Sequence, residues 1–392
     1  MTADSAYFDV VIIGGAVMGS AAAYFLTHNP QFEGSVAVIE RDMSFAECST
    51  GRSAGGIRQQ FSTPENIEMS LFGLQFIRTL KERFGPDADV SFREQGYLML
   101  ASESGRATLQ ENVELQCSYG ADIVFYDEEG LHKAFPWLET EGLVAGSFGR
   151  SGEGWLDPFS LMTLMRKAAQ AKGARYISGM VTGFDLSDGH VNAVKLSDGR
   201  EIRCGTLINA TGAEAGKIGT MLGIDIPVER RKRFVFVFDC RDAPERCPLT
   251  IEPTGLYFRP EGAQFITGLG PLEDNEWDTA DLEIDHTWFD TEIWPRLAAR
   301  VPAFEAIKPT GAWAGFYDYN TFDQNVILGR HPDFDNLYLM NGSSGHGLQH
   351  GPAVGRAISE LIVHGSFQTL DLSRLSYERI RRREPLFEKN VV

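Results

Sequence analysis

Four apolar residues, Val10-Val11-Ile12-Ile13, run straight into Gly14-Gly15-Ala16-Val17-Met18-Gly19, and this junction constrains the fold of the 392-residue chain more tightly than any other stretch. A short all-apolar run suits a strand buried on both faces of a parallel sheet. Residues 20–26 continue as a helix, residues 28–34 break it with polar groups, and residues 36–39 form a second buried strand ending at Glu40. Strand, glycine turn, helix and strand make a βαβ unit. In the dinucleotide fingerprint G-x-G-x-x-G, the first glycine makes the turn, the second lets backbone approach a pyrophosphate, and the third lets helix and strand pack closely. Gly14 and Gly19 hold the first and third places, while Ala16 adds a methyl group at the second. Glu40 lies about twenty residues beyond, where an acidic side chain takes the ribose hydroxyls. An ordinary βα turn is the competing reading, and the surrounding pattern outweighs it.

Further along, residues 62–84 have helical character and end at Gly85-Pro86. Asp157-Pro158 reads as an N-cap followed by proline at the first helical position. The helix after it carries Leu161, Leu164, Met165 and Ala168 on one face and stops at Gly173. A meander follows, with strands at 181–186, 191–196 and 200–204 separated by Asp188-Gly189 and Asp198-Gly199 turns. Residues 207–210 then lead into Thr211-Gly212-Ala213. The middle holds alternating or aromatic strands at 234–239, 250–252, 256–259 and 264–268, which predict an antiparallel sheet. The tail returns to a buried strand at 337–340, a glycine-rich loop at 342–351 and a helix at 352–364. Nucleotide-type motifs at both ends with a β-rich middle predict a discontinuous first domain (1–90, 151–225 and 325–392) interrupted by a second (91–150 and 226–324). The expected class is α/β: a Rossmann-like, glutathione-reductase-type domain plus an α+β substrate domain with a mixed, mainly antiparallel sheet.

Charge narrows the partners. With 36 Lys+Arg against 54 Asp+Glu, the net charge of −18 argues against nucleic acid. An anionic small substrate remains compatible, because one or two buried arginines override the mean field. Cysteines 48, 117, 204, 240 and 247 form no CxxC pair, so neither a disulfide framework nor zinc is indicated. His286, His331 and His350 have no ligand spacing, and no metal is expected. The amino terminus lacks the basic start of a signal peptide, and no apolar run reaches membrane-spanning length. A cytoplasmic protein without an integral membrane segment is the expectation. The basic run at 379–383 reads as a solvated or interdomain helix face in preference to a lipid contact.

The missing second strand–glycine turn–helix unit favours FAD over a scheme that also binds NAD(P)H. The VVIIGGAVMGSAAAYFL start, the segment Ser49-Thr50-Gly51-Arg52-Ser53-Ala54-Gly55-Gly56-Ile57-Arg58, Gly154-Trp155-Leu156-Asp157-Pro158, Ala210-Thr211-Gly212-Ala213 and Gly345-His346-Gly347 occur in this order. Together they resemble the D-amino-acid oxidase superfamily of FAD flavoproteins, and within it the sarcosine oxidase and dimethylglycine dehydrogenase branch. The resemblance implies an extended FAD with its isoalloxazine at the domain junction. Gly14, Ala16, Val17, Met18 and Gly19 would form the nucleotide turn, and Glu40, followed by Arg41, would bind the adenosine ribose. Ser49, Thr50, Arg52 and Ser53, continuing into Ala54 and Gly55, would lie along the diphosphate and ribityl chain. Val181 would offer backbone bonds to adenine, and Ala210, Thr211 and Gly212 would wrap the nucleotide side. Gly345, His346 and Gly347, with Leu348 and Gln349 behind them, would turn N–H groups and a helix dipole on the flavin pyrimidine carbonyl.

On the substrate side, the resemblance places Arg58 near a substrate carboxylate, which its planar fork suits. Period two puts Tyr257 and Arg259 on one strand face; Tyr257 matches a ligand-facing position, and Arg259 is a candidate second contact. Trp313, Tyr317 and Tyr319 are an aromatic cluster for the pocket wall or for the core. Three departures stand out. Residues 313–319 lack the cysteine that tethers flavin in the branch, so FAD is expected to be non-covalent. Gln349 replaces a lysine, and residues 264–267 lack the lysine that assists oxygen. The last departure raises the case for a dehydrogenase over an oxidase.

The expected activity is oxidation of the C–N bond of an amino acid or N-substituted amino acid by hydride transfer to flavin N5, giving an imine that hydrolyses. Its partners would be a small carboxylate-bearing amine and, as acceptor, oxygen, a quinone or an electron-transfer protein. His346 is the candidate for proton handling. Oxidation of a 2-hydroxy acid, with His346 as the required base, and a non-catalytic FAD protein with an assembly role are the alternatives.

Overall fold

The computed structural model describes residues 6–271 and 281–389. The expected domain ranges also take in residues 1–5, 272–280 and 390–392, which lie outside the described residues. Two eight-stranded sheets form among those described. The first has a parallel centre, in which Arg175–Ser178, Val36–Glu40, Ala6–Ile13, Glu201–Asn209 and Leu337–Asn341 lie side by side. Ile327–Arg330 closes one edge antiparallel, and the meander strands Val181–Ser187 and His190–Leu196 attach to Glu201–Asn209.

The all-apolar first strand is explained by burial on both faces. Val10 and Ile12 belong to the core shared with the helices Val17–His28 and Gly347–His364. Val11 and Ile13 point the other way, into a core with Ile218 and Leu222 of the helix Ala215–Leu222. The two long helices lie close together: a Cβ on Gly355 would stand 2.6 Å from the carbonyl carbon of Ala21. Each begins just beyond the carboxyl end of a parallel strand, the part of an open α/β sheet where ligands bind.

The second sheet runs Ile307–Asn320, Val228–Cys240, Gln264–Gly268, Tyr257–Glu261, Leu249–Ile251, Tyr97–Ala101, Ala145–Gly149, Ile123–Asp127. Its pairs are antiparallel except for Leu249–Ile251 beside Tyr97–Ala101, so it is the mixed, mainly antiparallel sheet expected. Phenylalanines dominate its core; Phe236, Phe238, Phe258 and Phe304 are fully buried. A short ribbon, Gly56–Ile57 with Gly154–Trp155, lies between the segments that build the two sheets.

Three local expectations need correction. Residues 200–204 and 207–210 are one continuous strand, Glu201–Asn209, whose start pairs with the meander and whose end pairs with Leu337–Asn341. The helix expected over 62–84 is interrupted at Thr79, whose hydroxyl donates to the carbonyls of Gln75 and Phe76. The last long helix starts at Gly347, not near 352, and Pro352 lies inside it. As its sixth residue, Pro352 has no N–H to give the Leu348 carbonyl, so the helix forgoes one i→i−4 bond there.

The Asp157 N-cap is as expected: its side chain accepts from Phe159 N at 3.0 Å. Arg379, by contrast, is buried and bound to the buried Asp323 through Nε (2.7 Å) and Nη2 (3.0 Å), so this member of the basic run is a structural tie rather than a solvated or lipid-facing charge. Among the described residues, no helix is long and apolar enough to cross a membrane, and no group of three or more His, Cys, Asp or Glu side chains is arranged to hold a metal.

Candidate active site

The glycine turn is fixed by sterics. Gly14 has φ +92°, and a Cβ there would stand 2.4 Å from Ala210 O. A Cβ on Gly19 would stand 1.8 Å from Gly14 O, so helix and strand meet at this point only without a side chain. Ala16 sits at the N-cap of Val17–His28 without a side-chain cap. Thr50 supplies the missing acceptor, taking the Val17 N–H on its Oγ1 at 3.2 Å. Glu40, at the end of its strand, accepts from Gly15 N at 2.8 Å and Asp42 N at 3.0 Å. These bonds hold its carboxylate beside the turn.

From this turn a cavity of about 470 Å³ runs between the sheets. At the nucleotide end it is lined by Gly14, Ala16, Val17, Met18, Glu40 and Arg41, and by Val181. Ser49, Thr50, Arg52, Ser53 and Ala54 line its flank, and Ala210, Thr211 and Gly212 lie across from them. Thr211 is turned by Asn209, whose Oδ1 accepts from both its N–H and its hydroxyl. At the far end come Gly345, His346, Gly347, Leu348 and Gln349, at the start of the second helix. Gly345 has φ +94° and faces the Tyr317 ring, which a Cβ would approach to 2.6 Å. Asp318 anchors this loop, accepting from Ser343 N (2.9 Å) and Ser343 Oγ (2.8 Å), and burial raises its carboxyl above the usual range.

Two helix N-termini, a carboxylate at the strand end and glycines where a Cβ would collide form a cradle suited to a dinucleotide with its negative charge near the turn. FAD therefore fits the residues present.

Arg58 lines the same cavity and is buried. Its backbone N–H donates to Gln349 Oε1 at 2.8 Å, Nη2 lies 3.1 Å from His346 Nε2, and Nε is buried without a partner. The guanidinium stacks on Phe61 and Tyr97, at 4.7 and 5.6 Å from the ring centroids. Among the described residues it makes no ion pair. Burial, followed by the Arg58 charge, holds His346 well below the usual histidine range, and the same causes bring His350 down to about 3. Tyr97 and Tyr257 are both pushed up by burial. Tyr97, Tyr257, Leu249 and Ile251 line the cavity too.

Some expected residues lie elsewhere. Gly19 and Gly55 are not on the cavity surface; they shape it from behind, Gly55 through φ +77° and a close approach to Leu156 O. Arg259 is turned away from the cavity. Its Nε donates to Ala54 O at 2.9 Å and its Nη1 to Pro260 O and the Glu261 carboxylate, with the guanidinium over Trp155. It braces the 54–58 segment and is not a second carboxylate contact. Arg52 lines the cavity, but its Nε and Nη1 are taken by Ala46 O and Ala314 O. Of the aromatic cluster, Tyr317 lines the cavity, while Trp313 donates to Arg52 O at 2.9 Å and packs behind it. Residues not expected at the site include Tyr97, Asp318 and Ser343. Tyr97 and Asp318 become part of it through pairing between distant segments, of which local sequence carries no sign, while Ser343 belongs to the glycine-rich loop at 342–351.

Residues 9–361 match the family model described as FAD dependent oxidoreductase. A relative from Xenopus laevis, FAD-dependent oxidoreductase domain-containing protein 1, is 43% identical, with 98% of this chain and 85% of the relative covered. Monomeric sarcosine oxidase from Arthrobacter sp. (strain TE1826) is 23% identical over 95% of this chain and 96% of its own. Among solved structures, L-proline dehydrogenase from P.horikoshii superimposes with a TM-score of 0.86 at 27% identity, covering 97% of this chain and 100% of that one. Glycine turn, cradle and likeness over nearly the whole chain agree, and the chain belongs to the D-amino-acid oxidase family of FAD-dependent oxidoreductases.

Proposed function

We propose that this oxidoreductase removes hydride from the carbon next to nitrogen in an amino acid or N-substituted amino acid, giving an imine that hydrolyses. The observation that carries the reading is Arg58: a buried guanidinium lining the cavity, with Nε unpartnered and no ion pair among the described residues. A buried cation is costly unless an anion meets it, and a substrate carboxylate supplies one in bidentate geometry. The likeness to L-proline dehydrogenase and sarcosine oxidase supports an amine as the group oxidised.

FAD supplies the hydride acceptor, held non-covalently in this reading. The chain's own residues position and desolvate. Arg58 holds the carboxylate, Tyr97 and Tyr257 exclude water, and the neutral amine needs no strong base. The helix N-terminus at Gly347 favours negative charge that develops nearby. Oxidation of a 2-hydroxy acid would require a base, and His346 Nε2, the nitrogen facing the cavity's cation, is already directed at Arg58. The electron acceptor is a quinone or electron-transfer protein in preference to oxygen, in keeping with the missing lysine at residues 264–267.

Anaerobic mixing of the yellow holoprotein with proline, N-methyl amino acids, other amino acids and 2-hydroxy acids tests the reading. Bleaching by an amine substrate is expected. Bleaching by hydroxy acids alone, or by none of them, overturns it, the latter in favour of a non-catalytic role. Peroxide release on re-aeration separates oxidase from dehydrogenase.

A further inference from the structure

Glu153 is fully buried, and no step above uses it. Its Oε1 accepts from Gln59 N at 2.5 Å and its Oε2 from Gln60 Nε2 at 2.7 Å, so the carboxyl grips the two residues that follow Arg58. Its backbone is fixed in turn, because its carbonyl accepts from Gly96 N at 3.0 Å. Gln60 is also tied to Tyr97 O at 2.9 Å and accepts from Ser147 Oγ. The segment bearing Arg58 is thereby fastened by Glu153 to the loop at 150–153 and by Gln60 to the second sheet.

We propose that Glu153 is a positioning residue for Arg58, and that it couples carboxylate binding at Arg58 to the uptake of a proton. The proposal rests on Arg58 being the carboxylate anchor. Burial pushes Glu153 up to about 7, while the bonds from Gln59 and Gln60 and the charge of Arg58 hold it down. A carboxylate bound to Arg58 offsets that cation, and Glu153 then holds a proton more firmly. By linkage, ionisation of Glu153 weakens carboxylate binding to the same degree.

Three other titratable side chains near this pair are shifted away from neutral pH by burial. Tyr97, from the neighbouring strand, is raised by burial; His346 and His350, on the far side of Arg58, are lowered. Glu94 bonds Gly152 N beside it and is paired with Arg78 at 2.8 Å.

Acetate, ionised throughout, is the probe, and the visible absorption of the bound flavin reports its binding to holoprotein between pH 6 and 8.5. The wild type is expected to lose about tenfold in acetate affinity across this range, a typical coupling between linked sites. Glu153→Gln is expected to bind with one affinity at every pH. Acetate binding to wild type at pH 7 in weak buffer is expected to consume protons, which tests the idea without a variant. A flat wild-type affinity together with no proton uptake, or an unchanged slope in Glu153→Gln, overturns it. Arg58→Gln separates this failure from failure of the anchor itself: if that variant binds acetate like wild type, the carboxylate reading falls first.

Discussion

Arg58 Nη2 and His346 Nε2 are 3.1 Å apart. A guanidinium only donates, so the imidazole nitrogen accepts, the proton of His346 sits on Nδ1 and the ring is neutral. Burial and the arginine charge act in the same direction. Nε2 therefore orients Arg58 and is not free to take a proton, which turns the proton-handling role expected of His346 into one of support.

Replacing Arg58 with lysine keeps the charge but loses the planar fork and the contact to His346. Hydrogen bonds to charged groups are worth about 1.5–3 kcal/mol. KM for a carboxylate-bearing amine should rise roughly ten- to hundredfold, with a smaller change in kcat. Steady-state kinetics on the best amine substrate read the split.

Gly14 and Gly183 give opposite outcomes for the same substitution. Gly14→Ala combines φ +92° with a 2.4 Å approach to Ala210 O. Backbone strain alone costs roughly 1–3 kcal/mol. The variant should melt well below wild type and be isolated with less FAD. Gly183 has open space around its Cβ position, and Gly183→Ala should change stability by less than about 0.5 kcal/mol. Thermal melting and the flavin-to-protein absorbance ratio measure both.

Acid should destabilise the fold through His350. Its pKa is about 3 in the folded protein, below the unfolded value, so the unfolded chain binds more protons between the two. Stability is then fully present above about pH 6.5 and falls as the pH drops towards 3. The slope from this residue is at most about 1.4 kcal/mol per pH unit. His350→Gln should narrow the gap between melting temperatures measured at pH 5 and pH 7.5.

Arg379→Ala leaves the buried Asp323 without its cation and should cost about 3–5 kcal/mol. Arg381, half exposed and 3.3 Å from Asp333, should tolerate alanine with a change of at most about 1 kcal/mol. Urea denaturation of the two variants distinguishes a structural arginine from a solvated one within the same run.

The sequence alone determined the nucleotide half. The strand at 10–13, the turn at Gly14 and Gly19, the acid at Glu40 and the N-cap at Asp157 are local patterns, each enforced by burial or backbone sterics within a few residues of itself. The mainly antiparallel sheet was legible in the same way, from alternation and turn residues. Tertiary structure decided the rest. Arg58, the expected carboxylate anchor, and Arg259, the candidate second contact, part ways because one faces His346 and the other meets Ala54 O, Pro260 O and the Glu261 carboxylate. Tyr97 meets Arg58, and Glu153 grips Gln59 and Gln60 beside it, from segments distant in sequence, and no local pattern encodes such a meeting. Binding chemistry at a cavity depends on which donors are already satisfied, and only the packing of distant segments settles that.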